Sequence, residues 1–275
     1  MNWLDKLQQI DRRVIYTLLL VVLLIPMFNP IGIPLQVNMT TQRVYDLVQA
    51  LDPARDVALF VMDYSPGGSP DVHPQALIVA EHLAQRGIKT IMVSFVDAGP
   101  MFAEQVLAHV SAKYDIVYGT DFVNLGYLAG METAIKNFAE APHTAFERDF
   151  RNNPVAGMPI MAGVTHITDI AFIIDFQTGD PGYNAFLKQI QGPYGVTYAA
   201  GIVTVSVPNA MPFVQSGQIS GLLQGLRGAA EYEGLVGSPG AGAAKMDAQS
   251  LGHLLIIAFI VVGNVAYFLN KKKAA

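Results

Sequence analysis

Aspartates follow four apolar runs of this sequence, at the points where predicted strands end. These residues are Asp63, Asp97, Asp121 and Asp175, with Asp180 five positions after the last of them. The carboxyl ends of parallel strands meet at one edge of a sheet, where α/β proteins bind ligands. Grouped carboxylates suit Mg²⁺ or Ca²⁺, so the pattern predicts a metal or polar-ligand site, although aspartates also commonly cap helices at such loops. His73 is a further candidate ligand, with a helix cap as its alternative role.

The loop DYSPGGSPDVHP, which follows the first of these runs, is the candidate site for a bound nucleotide. It has no lysine to reach a phosphate, and its only glycine pair, Gly67-Gly68, does not match a dinucleotide fingerprint. Asp63 and Asp71 would repel a phosphate. The loop therefore predicts a tight turn into a helix that starts at Pro74, and no nucleotide.

A second polar segment, VYGTDFVNLGYLAG, offers a different kind of candidate. Its side chains Tyr118, Asn124 and Tyr127 either line a pocket or bond the backbone of a compact loop, and the second interpretation is favoured. No nucleophile motif supports catalysis, since the chain has no cysteine and no G-x-S-x-G elbow. The sequence thus favours a protein that is not an enzyme.

The elements that position these residues alternate between apolar runs and helical segments. Strands are predicted at Val57–Asp63, Lys89–Val96, Asp115–Gly119 and Ile170–Phe176, and within VTYAAGIVTVSV. Alternation of this kind is typical of crossover units, and continuously apolar runs indicate strands covered on both faces. We therefore expect about five mainly parallel strands in a Rossmann-like three-layer α/β domain.

Both ends of the chain are apolar enough to enter a membrane. The predicted segments are a cytoplasmic N-terminus at 1–13, a transmembrane helix at 14–36, the α/β domain at 37–237, a linker at 238–250, a second transmembrane helix at 251–269 and a basic tail at 270–275. Basic residues flank each span on the side away from the domain. By the positive-inside rule both termini are cytoplasmic, and the domain lies in a periplasm or outside the cell.

The charge between the two spans limits the partners of the domain. This part carries 11 basic and 20 acidic residues, a formal charge of −9 with histidine neutral. A surface of this sign repels the phosphates of nucleic acid, so nucleic acid is excluded as a partner. The lipid bilayer and other membrane subunits, or further copies of the chain, are the partners that we expect.

Small residues suggest close packing near the second span. Gly217, Gly221 and Gly225 recur at every fourth position of a helix predicted to begin at Gly217. Glycine costs about 1 kcal/mol at a helical position, so the spacing indicates a backbone packed against the sheet or against another subunit. Asn264, inside the second span, could form a hydrogen bond to a neighbouring helix.

Four runs of the chain resemble a known group of proteins. YGTDFVNLGYLAG, TGDPG, GAAEYEGLVG and MDAQSLGH are similar to runs in bacterial and archaeal membrane-anchored α/β proteins of unassigned function. The likeness extends from about Val57 to the second span. It implies the membrane-anchored Rossmann-like architecture and supplies no catalytic residue.

These patterns together predict a membrane-anchored structural or ligand-sensing subunit of a larger membrane assembly. One alternative is a metal-dependent hydrolase or transferase that acts at the strand-end aspartates. Another is a binding protein for a small solute. No cofactor is predicted, apart from Mg²⁺ or Ca²⁺ under the first alternative.

Overall fold

The computed structural model describes residues 11–33 and 35–274. The chain divides into two compact units. One combines Met1–Pro34 with Pro239–Ala275, and the other is Leu35–Ser238.

The larger unit is an α/β fold with a six-stranded parallel sheet, which confirms the predicted α/β class with a parallel sheet. Its strands are β1 (Val57–Asp63), β2 (Lys89–Ser94), β3 (Phe122–Tyr127), β4 (Phe172–Gln177), β5 (Thr197–Ile202) and β6 (Gly221–Gln224). They lie in the order β3-β2-β1-β4-β5-β6, and every pairing is parallel. The chain therefore builds outward from β1 in one direction and then returns to its other side, which makes β1 and β4 the topological switch point of the sheet.

Helices connect the strands and cover both faces. The helices of the chain are α1 (Arg12–Phe28), α2 (Met39–Ala50), α3 (Ser69–Gln85), α4 (Gly99–Ser111), α5 (Met131–Glu140), α6 (Gly182–Phe186), α7 (Val207–Gln215), α8 (Gly225–Val236) and α9 (Ala241–Ala274). Those of the larger unit are α2 to α8, whereas α1 and α9 belong to the smaller unit. A π-helical turn, Leu187–Gln191, and the short helix Gly192–Tyr194 continue α6.

Alternate residues of β1 enter two separate hydrophobic cores. Leu59 and Val61 pack in one cluster, and Phe60 and Met62 pack in the other. All seven residues of β1 are buried. This agrees with the continuously apolar sequence of the run, because a strand covered on both faces has no side that is exposed to water.

Two strands differ from the prediction. The predicted strand Asp115–Gly119 is wrong: β3 lies at Phe122–Tyr127, and a turn precedes it in which Asp121 Oδ2 accepts a hydrogen bond from Val117 N at 2.8 Å. Asn124 and Gly126 interrupt the apolar pattern of β3, and for this reason the sequence pattern did not identify the strand. The other difference is β6, which has only four residues and begins with glycine.

The predicted helix with glycine at every fourth position is also wrong. Gly217 lies in a turn with φ of +81°, Gly221 opens β6 and Gly225 opens α8. A Cβ at Gly221 would meet Val44 of α2 at 2.7 Å, so this glycine admits close packing within the domain. The three residues do not form a stripe for another subunit.

Helix α3 begins earlier than predicted. Its first residue is Ser69, and Pro74 lies inside it. Pro70 occupies the first turn, where a missing backbone N–H removes no helical hydrogen bond.

In the smaller unit, α1 packs against α9. Asp247 of α9 accepts hydrogen bonds from the backbone N–H groups of Ile31, Gly32 and Ile33 at 2.7, 2.8 and 3.0 Å. These bonds tie α9 to the segment that follows α1. Gly252 admits the side chain of Leu23, since a Cβ there would lie 3.2 Å from it.

One helix among the described residues is long and apolar enough to cross a membrane, over Ala241–Leu269. Helix α9 begins at Ala241 and so includes most of the predicted linker 238–250, whose alanines favour a helix. Helix α1 has 17 residues and ends at Phe28, two positions before Pro30. A full span over 14–36 is not shown, and Pro34 and residues 1–10 lie outside the described residues.

Candidate functional site

A crevice opens at the carboxyl edge of the sheet, beside the switch point. It has a volume of about 420 Å³ and is formed by the loops after β1, β4 and β5. Gly68, Asp71, Thr178 and Val205 are among its lining residues. Gly68 permits this arrangement, since a Cβ at that position would collide with the side chain of Thr178. We call this space the switch-point crevice.

A smaller hollow of about 150 Å³ adjoins the switch-point crevice and shares Thr178 with it. The loop after β4, the start of α6 and the segment after β5 form its walls. Its polar lining residues include Gln177, Asp180, Asn184, Ser206 and Asn209. We call it the polar hollow.

Asp63 is the last residue of β1, at this edge of the sheet. It is buried in the core and only 1% exposed. Its Oδ1 accepts a hydrogen bond from Phe95 N at 2.7 Å and lies 3.2 Å from Ser94 Oγ. Its Oδ2 is buried and accepts no hydrogen bond from any residue that the structure describes. Burial raises the pKa of Asp63 to about 7, against the lowering effect of the Phe95 and Ser94 hydrogen bonds.

Asp175 lies on the adjacent strand β4 and is completely buried. Its Oδ2 accepts hydrogen bonds from Gln177 Nε2 at 2.8 Å and from the hydroxyl of Tyr198 at 3.0 Å. Its Oδ1 is a second buried oxygen without a partner among the described residues. Burial raises the pKa of Asp175 well above its usual value, and the neighbouring charge of Asp63 raises it further.

Gln177 joins this acid pair to the polar hollow. Its amide nitrogen donates to Asp175, and its Oε1 accepts a hydrogen bond from the backbone N–H of Tyr183 at 2.8 Å. Both Gln177 and Tyr183 line the hollow. Gln177 therefore connects Asp175 to the wall of the hollow through two hydrogen bonds.

The remaining predicted ligands are not gathered around this pair. Asp97 is exposed and lies three residues beyond β2, and Asp180 is exposed in the wall of the polar hollow. The prediction that Asp121 ends a strand is wrong, because Asp121 precedes β3. His73 does not cap α3; it lies within the helix, and its Nδ1 is 2.7 Å from the hydroxyl of Tyr64.

The segment around β3 holds its polar groups in internal contacts. Asn124 is buried and donates to Pro100 O at 3.0 Å and to Glu104 Oε1 at 2.9 Å. The Tyr118 hydroxyl donates to Asp149 Oδ2 at 2.8 Å. Tyr127, at the end of the strand, is 43% exposed.

The donor set does not supply a metal site. Among residues 11–33 and 35–274, no group of three or more histidine, cysteine, aspartate or glutamate side chains is placed to hold a metal ion. Asp63 and Asp175 are two carboxyl groups without a third such ligand. The prediction of Mg²⁺ or Ca²⁺ at the strand ends gains no support from these residues.

Sequence reasoning missed Tyr198 and Gln177, which orient Asp175. Both are polar residues in otherwise apolar strand runs, and this is the signal that could have identified them. A buried polar side chain requires a hydrogen-bond partner, so polar positions on neighbouring strands tend to meet.

No protein-family model matches the chain, and comparisons with curated proteins and with solved structures gave no significant match. The resemblance to membrane-anchored α/β proteins therefore stays a prediction.

Proposed function

We propose that this protein is a membrane-anchored ligand-sensing subunit whose α/β domain binds a small polar solute outside the cytoplasm. The observation that carries the proposal is the switch-point crevice, with the polar hollow beside it. Ligands of open α/β sheets bind outside the carboxyl ends of the strands, at the point where the strand order reverses. This crevice occupies that position and is formed by loops from three adjacent strands.

The lining supports a neutral or cationic solute. Asp71 lines the crevice and Asp180 lines the hollow, while neither lining includes a lysine or an arginine among the described residues. An anion would approach two carboxylates without a compensating cation. The hydroxyl and amide groups of Thr178, Asn184 and Asn209 are suited to hydrogen bonds with a neutral polar ligand.

The membrane anchor is supported by the apolar surface of α9. Its candidate span has 29 residues, a length of about 43 Å at 1.5 Å per residue, and exceeds the roughly 30 Å hydrocarbon core. Large side chains such as Ile257, Ile260 and Phe268 are more than half exposed, and hydrocarbon is the solvent that suits them. If α1 and its flanking residues also cross, the basic residues at both ends place the termini in the cytoplasm and the domain outside.

The assembly part of the proposal is supported by Asn264. This amide is exposed on α9 among apolar neighbours. An amide side chain in hydrocarbon favours association with a second helix that offers it a hydrogen bond. Such a bond contributes about 1 kcal/mol to helix association. We expect Asn264→Leu to reduce the mass of the particle extracted gently from its membrane, whereas Val261→Leu at an exposed position nearby leaves it unchanged. Equal masses for both variants and the native chain would contradict an assembly role for Asn264.

Ligand binding is tested by filling the crevice. Val205 is 83% exposed and lines it, so Val205→Trp occupies the space without displacing core residues. The full chain in lipid nanodiscs would be screened against neutral and cationic small polar solutes by thermal unfolding. We expect a stabilising solute whose effect is lost in Val205→Trp and kept in Val117→Trp, a matched exposed position that does not line the crevice. A solute that stabilises both variants equally would place binding elsewhere.

A further inference from the structure

We infer that Asp63 and Asp175 share a single proton, and that loss of this proton reshapes the polar hollow. The inference rests on the proposed function, because it assigns a regulating ligand, the proton, to the same edge of the domain. It is carried by the geometry of two buried carboxyl groups at the switch point.

The two side chains point to the same face of the sheet. Asp175 pairs with Val61 in the register of β1 and β4, and Asp63 lies two residues beyond Val61. Residues two apart on a strand share a face, so Asp63 and Asp175 are diagonal neighbours on adjacent strands. The raising effect of Asp63 on the pKa of Asp175 reflects the same proximity.

The donors that reach the pair leave one oxygen of each carboxyl group free. Asp63 Oδ2 and Asp175 Oδ1 are both buried, and neither accepts a hydrogen bond from the part of the chain that the structure describes. Two unpartnered buried carboxylate oxygens are costly. One proton satisfies both, because the protonated acid donates its O–H to the carboxylate oxygen of its neighbour.

No cation compensates a second negative charge. Tyr198 of β5 is the titratable group that contacts Asp175, and it donates a neutral hydroxyl. Asp63 is contacted by Ser94 Oγ, at the end of β2, and by the backbone N–H of Phe95, the next residue. Tyr183 of α6 donates its backbone N–H to Gln177. The inward residues of α5 and α7, on the same face, are apolar: Ala134, Ile135, Phe138, Ala139, Ala210 and Val214. Within the described residues, neither aspartate forms an ion pair.

Loss of the proton to solvent leaves two adjacent buried carboxylates that repel each other. The repulsion acts on Asp175, whose Oδ2 is held by Gln177 Nε2, and Gln177 Oε1 in turn holds the N–H of Tyr183 at the wall of the hollow. Deprotonation therefore loosens the start of α6. A solute that binds the closed hollow would bind more tightly when the pair is protonated, and its binding would take up a proton.

The direct test is infrared difference spectroscopy of the full chain in nanodiscs, between about pH 5 and about pH 9. We expect a carbonyl band of a buried carboxylic acid at the lower pH that is lost at the higher pH. The band is absent or displaced in Asp63→Asn and in Asp175→Asn, and unchanged in Asp97→Asn. In either single variant, the new amide can donate to the remaining carboxylate, which keeps the fold intact.

Hydrogen exchange of the peptide that covers residues 179–186 tests the link to the hollow. After correction for the intrinsic pH dependence of exchange, we expect about tenfold faster exchange at the higher pH in the native chain, and no such change in Asp63→Asn. Absence of the acid band at low pH, or its persistence in both variants, would overturn the shared proton. Unchanged exchange alongside a titrating band would overturn the link. Neither readout uses a solute, so failure of the ligand screen is a separate result.

Discussion

Two buried carboxyl sites in the same domain have opposite electrostatic surroundings. Glu81 of α3 is 4% exposed and accepts hydrogen bonds from Lys113 Nζ at 2.7 Å, His109 Nε2 at 3.0 Å and Ser238 Oγ at 2.6 Å. Burial alone raises the pKa of Glu81, but the hydrogen bonds from Lys113, Ser238 and His109 outweigh it and lower the pKa. Asp63 is 1% exposed, and burial raises its pKa to about 7.

The difference shows that nearby donors and a cation can reverse the effect of burial on the pKa of a carboxyl group. Glu81 faces a lysine and a hydroxyl, so its charge is paired and the site holds two helices together. Asp63 faces another acid, and one oxygen of each has no donor among the described residues. Paired sites of the first kind stabilise a fold, whereas unpaired acids are typical of sites that change protonation state.

The largest expected effect comes from disturbing the backbone that supports the acid pair. A Cβ at Gly99 would collide with Met62 O and Ser94 Oγ, next to Asp63. We expect Gly99→Ala to lower the free energy of unfolding by about 2–4 kcal/mol, because part of the obstruction is backbone. Pulse proteolysis of the full chain measures this change. Gly67→Ala, where a Cβ would lie 3.9 Å from Ser65 Oγ and displace nothing, is the matched control, and equal costs for the two would refute the packing argument.

An intermediate effect is expected at the paired site. Glu81→Gln keeps the shape but leaves Lys113 without its carboxylate, and should cost about 1–3 kcal/mol at neutral pH. Since the folded pKa of Glu81 is lowered, its contribution is present above the unfolded value of about 4.5 and is lost as the pH falls through the folded pKa. Glu140→Gln removes an exposed pair with Lys136 and should cost less than about 0.5 kcal/mol. A neutral result for Glu81→Gln would mean that its network is not stabilising.

The effect of replacing Asp63 has the opposite sign and sharpens the comparison most. The folded pKa of Asp63 is raised, so its stabilising contribution is complete below about pH 4 and is lost as the pH rises through about 7. Asp63→Asn removes this loss, so at about pH 8 it should be more stable than the native chain, by roughly 1.4 kcal/mol for each unit that separates the folded and unfolded pKa values. The gain should shrink as the pH falls and vanish below about pH 4. A stability curve for Asp63→Asn with the native slope, or the same flattening in Asp97→Asn, would contradict the assignment.

The sequence was sufficient for the α/β class because four strands are continuous apolar runs between helices. It was insufficient for β3 and β6, where Asn124, Gly126 and Gly221 break the pattern that identifies a strand. Asp121 was misplaced for the same reason. A local pattern cannot reveal that Asn124 bonds Glu104 and Pro100, which come from a different element.

The site was partly predictable. Asp63 and Asp175 were expected at neighbouring strand ends, and the parallel sheet places them side by side. The sequence did not indicate that both point into the core rather than into the crevice, because this depends on the register of β1 and β4. The partners Tyr198 and Gln177 follow from the same register and from the position of β5.

The measurement that tests the account most directly is the side of the membrane on which the domain lies. The chain has no cysteine, so single cysteines can be introduced at the exposed position Ala54 of the domain and at Ala275. Intact cells would be treated with a membrane-impermeant maleimide. We predict that Ala54→Cys is labelled in intact cells and that Ala275→Cys is labelled only after lysis. Labelling of Ala275→Cys alone in intact cells would place the domain in the cytoplasm and contradict an extracytoplasmic sensor.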